Sequence, residues 1–91
     1  MVLFRAELFR IDEPGGWWFV AVPDEHAPDA AGSWGRAPVI AQVNGRTWAT
    51  SAWRDRRRGW LLPVPARIRA GLEEGDEVDV VVDPDPERPL T

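Results

Sequence analysis

Apolar and polar residues alternate with a period of two along most of this chain, the pattern of strands that turn one face away from water. In Val2 to Ile11, the side chains of Phe4, Ala6 and Leu8 oppose Arg5 and Glu7. Trp17 to Val22 sets Trp18, Val20 and Val22 on one face and stops at Pro23, which has no N–H to give a ladder. Ala37 to Val43 directs Val39, Ala41 and Val43 one way. Asn44-Gly45 then reads as a type I′ hairpin turn into Thr47 to Trp53. Trp60 to Val64 is a further short strand. Glu77 to Asp83 is the last, with Val78, Val80 and Val82 inward against Glu77, Asp79 and Asp83.

The segments between are turns and loops. Asp12 to Gly16 is a proline and glycine cluster, and Asp24 to Gly35 is a polar loop with at most one helical turn. Pro65 to Leu72 is expected to form one short α-helix: Pro65 suits a first helical position, and Ile68 and Leu72 make an i, i+4 apolar pair. Asp76 follows Gly75 as a turn residue that accepts backbone hydrogen bonds. A faint echo relates Gly16-Trp17 through Val22-Pro23 to Gly59-Trp60 through Val64-Pro65. Six short strands and one helix at this spacing predict a mainly all-β fold, a small closed or partly closed antiparallel barrel. It occupies residues 1–83, and 84–91 follow as an extended, proline-rich C-terminal tail.

Composition narrows the function. At 91 residues the chain builds one core. Without cysteine it has no disulfides, thiolate metal sites or cysteine nucleophile, which suits a reducing, cytoplasmic setting. Eleven basic residues, all arginine, against 15 acids leave a net charge of −4, which disfavours general nucleic-acid binding. No segment has the length and apolarity of a membrane span, and the charged start lacks a signal-peptide core. Six tryptophans are more than so small a core can bury completely.

Two constellations are candidate surfaces. Trp53-Arg54-Asp55-Arg56-Arg57-Arg58-Gly59-Trp60 sets four cations between two indoles, and Trp53, Arg54, Arg56, Arg57, Arg58 and Trp60 together could dock an acidic partner or stack on bases. The plainer reading is a solvated loop with one Trp in the barrel. Trp17 and Trp34 are candidate ligand aromatics, since indoles line small-molecule sites as well as cores. Asp24, Glu25, His26 and Asp29 could be drawn as a metal site, but nothing in their spacing fixes a geometry, and no metal, cofactor or catalytic residue is assigned. Thr50 and Ser51 have no histidine near them in sequence, so an enzyme would need an unexpected cluster of acids with Ser51 or His26 in a cleft.

Several of these motifs, in order, resemble the bacterial domain-of-unknown-function family 1905. They are Phe4-Arg5-Ala6-Glu7-Leu8, Trp18 to Pro23, Gly32 to Val39, Val43-Asn44-Gly45, Trp48 to Ser51, Gly59 to Val64, Ile68-Arg69 and Gly75 to Val80. The resemblance implies a small double-split β-barrel without an established activity, sometimes joined to a second domain, and it transfers no catalytic residue. Pro65 stands where that family often has a basic residue. More distantly, Leu61 to Val78 is similar to the core of swapped-hairpin regulators and antitoxins, which grip DNA as dimers.

The expectation is a non-catalytic binding or scaffold module, monomer or homodimer, with an unknown protein or small-molecule partner and with nucleic acid and membrane disfavoured. The alternative is a dimeric DNA-binding or antitoxin-type regulator.

Overall fold

In a computed structural model, which describes residues 2–12, 16–29, 31–32 and 35–88, the first strand is bent into two arms. Strand β1 (Phe4–Glu7) and strand β2 (Phe9–Ile11) are separated by Leu8 alone. Leu8 N donates to Asp76 O at 2.8 Å, and Gly75 N donates to Leu8 O at 2.8 Å, so the bend is tied to the turn before the last strand. The chain continues through β3 (Trp17–Val22), a 3-10 turn at Asp24–His26, β4 (Arg36–Val43), β5 (Arg46–Asp55), β6 (Gly59–Pro63) and β7 (Glu77–Pro84).

All pairings are antiparallel, in one sheet ordered β1-β7-β4-β5-β6-β3-β2. Its two end strands are the arms of the same bent segment, so the sheet curls into a half-barrel whose ends meet at Leu8. The concave face carries the side chains the alternation pointed inward: Leu8, Val20, Val39, Val43, Leu62, Val78 and Val80 are the largest fully buried ones. Trp48, Trp60, Val64 and Ile68 join them. Burying each such aliphatic chain contributes about 1.5–3 kcal/mol, so this face dominates the fold's stability.

The Asn44-Gly45 turn has φ values of 49° and 84°, the two positive angles of a type I′ turn. Asn44 also staples the hairpin to β7, since its Oδ1 accepts Asp79 N and its own N donates to Asp79 O, both at 2.8 Å.

Three expectations are corrected. Seven strands replace six, because the Leu8 bend divides the first. Pro65 to Leu72 forms successive turns, not an α-helix: Pro65 O accepts Ile68 N (2.9 Å) and Arg69 N (3.1 Å), and Leu72 N turns to Arg69 O (2.9 Å). In an α-helix Leu72 N would seek Ile68 O, but Arg46 Nη1 donates to Ile68 O (2.9 Å) and Ala70 O (3.1 Å). A single short turn cannot repay helix nucleation against that competition. The described part of the expected tail is not extended either. Pro84 closes β7, and Asp85–Arg88 folds back as a turn, with Arg88 N donating to Asp85 O at 3.3 Å and Asp85 N to Pro38 O at 3.2 Å.

The internal echo does not survive as matching halves. Strands β3 and β6 pair with each other, but Trp17 is 51% exposed whereas Trp60 is buried.

Candidate functional site

A gap opens between β5 and β6, and proline explains it. The two strands pair at Trp53↔Leu61, Arg54↔Trp60 and Asp55↔Gly59. Val64 N donates to Trp18 O at 2.9 Å, on the β3 side, so in this segment the even residues turn their backbone toward β3 and the odd ones toward β5. The next residue due to donate to β5 is Pro63, which has no N–H, and Pro65 repeats the deficit. Strand β5 therefore runs on from Trp53 back to Arg46 paired only with β4.

The gap is a groove of about 400 Å³, within the range of small-ligand sites. Trp17, Trp48 and Trp53 line it together with Arg36, Arg67 and Arg88; Thr50 and Ser51 of β5 face Pro63, Val64 and Pro65 across it. Trp53 packs against Trp17 at 5.3 Å between ring centroids and meets Phe19 edge-on at 5.3 Å. Phe9 lies 6.1 Å from Phe19. These rings make a second, smaller apolar cluster on the convex face, and under it Phe19 and Leu61 are only 2% exposed. Arg36 lies over the Trp53 ring at 5.0 Å, a cation–π contact that keeps its guanidinium beside the cluster.

Arg88 is held from two sides. Its Nε donates to Asp85 Oδ2 at 2.8 Å, and its Nη2 donates to Thr50 O. The Arg88 guanidinium beside Asp85, with the Glu87 N–H at 2.9 Å, keeps that buried carboxyl below the usual carboxylate range. Arg67 is exposed and has no ion pair among the described residues. The described lining thus holds three guanidinium groups and no carboxylate, in a chain whose net charge is −4. Trp48 contributes a buried Nε1–H with no acceptor among the described residues.

The residues singled out from sequence are distributed unevenly. Trp17 and Trp53 lie in the groove, and Trp34 lies outside the described residues. Arg54, Arg56, Arg57 and Arg58 are exposed at the β5–β6 hairpin, whose tip is ordered by Asp55. Asp55 Oδ1 accepts Arg57 N (2.8 Å) and Arg58 N (2.9 Å), and these N–H groups, that of Arg58 foremost, hold its carboxyl below the ordinary value. Trp60 is buried on the concave face, opposite to Trp53, because it pairs with Arg54 while Trp53 pairs with Leu61. The two indoles therefore do not shoulder the cationic tip as one surface. His26 stacks on Phe4 at 4.7 Å and lines a different cleft from Ser51. Among the described residues no three His, Cys, Asp or Glu side chains gather to hold a metal ion.

Arg36, Arg67 and Arg88 escaped the sequence reading. They are far apart in the chain and isolated in it. Pro63-Val64-Pro65 carried the signal, a run that stops a ladder on alternate residues.

The family model for a domain of unknown function, DUF1905, matches residues 4–82. The chain belongs to the DUF1905 family. Searches of curated proteins and of solved structures found no match. The groove of this DUF1905 domain is built within the matched span by Trp17, Arg36, Trp48, Trp53 and Arg67, whereas Arg88 lies just beyond it. Among the described residues no helix is long and apolar enough to cross a membrane.

Proposed function

We propose that this DUF1905 domain is a non-catalytic binding module that takes an anionic ligand with apolar groups in the groove between β5 and β6. The observation that carries this reading is the lining itself: Trp17 and Trp53 supply flat apolar contact beside the edge of Trp48, and Arg36 and Arg67 stand among them with no carboxylate in the lining, Arg88 already being paired with Asp85. Arginine forks recognise carboxylates and phosphates through paired hydrogen bonds, and a ligand anion would compensate their mutual repulsion. The Trp48 Nε1–H, buried and without an acceptor among the described residues, adds a donor beside the groove. A dimeric DNA-binding regulator draws less support from a chain of net charge −4.

Benzoate and the neutral, equally flat benzamide separate charge from shape. Indole fluorescence should respond to benzoate, salt should weaken the response, and benzamide should bind about tenfold more weakly, the worth of one charge-assisted hydrogen bond. Arg67→Glu, at an exposed position, should abolish the benzoate response while leaving the fold intact by circular dichroism. Equal responses to both compounds, or none to either, would reject the reading.

A further inference from the structure

The groove exposes backbone as well as side chains, and we infer that its occupant is an extended acidic peptide that adds a strand to the open flank of β5. This rests on the anion-binding reading above and names its ligand. Pro38 of β4 lies opposite Ser51. Pro38 has no N–H, and its carbonyl accepts Asp85 N on the side away from β5. Directly opposed residues of an antiparallel pair either exchange both hydrogen bonds or exchange none. Ser51 therefore turns its N–H and C=O away from β4, and Ala49, two residues earlier on the same strand, does likewise.

What stands on that flank is Pro63 and Pro65, neither with a donor. The pairing of β5 with β6 stops at Trp53↔Leu61, and Ala49 and Ser51 make no turn or loop hydrogen bond among the described residues. An unpaired flank with donor and acceptor repeated every second residue is the template that captures an extended chain, the backbone bonds supplying affinity and the side-chain pockets specificity. Here the proline pair keeps the protein's own ladder from closing over it. The arginines at the rim choose the guest: a basic strand would be repelled, whereas an acidic one finds its partners in the groove and none among the acids that set the chain's net charge. A small free anion would use the guanidinium groups and leave the strand flank idle.

The probe is a blocked hexapeptide of alternating valine and glutamate, added to the nitrogen-15-labelled full chain. Amide hydrogen exchange at Ala49 and Ser51 should slow about tenfold at saturation, while Thr50, which faces β4, should be unaffected. Two N-methylated forms of the peptide give a check that needs no protein variant. Methylation of every second residue in one register should weaken binding about tenfold, and in the other register should change it little, because only one set of peptide N–H groups faces β5. Unchanged exchange at Ala49 and Ser51, failure of the peptide to bind, or equal binding by both methylated forms would overturn the proposal. Should benzoate bind and the peptide fail, the strand-addition proposal falls and the anion site stands. Failure of both ligands removes both.

Discussion

Asp85 is the one buried charged residue among those described, and its setting explains why that is tolerated. Arg88 Nε and the Glu87 N–H each satisfy one of its oxygens, so the carboxylate is paired before it is hidden. Because its folded pKa lies below its unfolded value, Asp85 contributes stability above the ordinary carboxylate pKa of about 3.9, and that contribution is lost as pH falls through the folded pKa. Carboxyl carbon-13 titration should place Asp85 below the ordinary value. Asp85→Asn should show a flatter loss of stability than the parent between about pH 5 and pH 2. An ordinary titration, or identical acid profiles, would contradict the pairing. The pair of Asp85 and Arg88 is local, but nothing in Asp85-Pro86-Glu87-Arg88 announces that Arg88 also reaches the carbonyl of Thr50, far away in sequence.

Among the elements, the strands were legible because period-two alternation is local, and the burial of Val39, Ala41 and Val43 follows it residue by residue. The Leu8 bend was not legible: it depends on hydrogen bonds to Gly75 and Asp76 across the barrel, while the residues around Leu8 contain no glycine or proline to mark it. The Pro65–Leu72 segment was misread for a related reason. Its local propensity favours a helix, but Arg46 reaches over from the neighbouring hairpin and engages two of its carbonyls. Arg46→Ala should free Ile68 O and Ala70 O, cost about 1 kcal/mol in chemical unfolding, and speed amide exchange at Leu72 more than in the strands. Unaltered stability and exchange would show that the segment holds its shape without the latch.

At the scale of the whole molecule, one sheet has two apolar sides of unequal size. The concave side is the core. The convex side carries the Phe9, Phe19, Trp17 and Trp53 cluster, and it is there that the β5–β6 ladder ends at Pro63 and the groove begins. Sequence alternation assigned faces correctly, yet it could not show that the rings of Trp17 and Trp53 meet, because that depends on both strands flanking β6. The account's central claim is that the indoles lining the groove, Trp17 and Trp53 of the convex cluster with Trp48 at the edge of the core, meet the ligand, and that Trp18 and Trp60 do not. The indole N–H signals of the assigned protein test it directly during titration with benzoate. Trp17, Trp48 and Trp53 are expected to shift together and saturably, while Trp18 and Trp60 stay in place; movement of Trp60 with Trp17 and Trp53 unmoved, or stillness of all five, would contradict it.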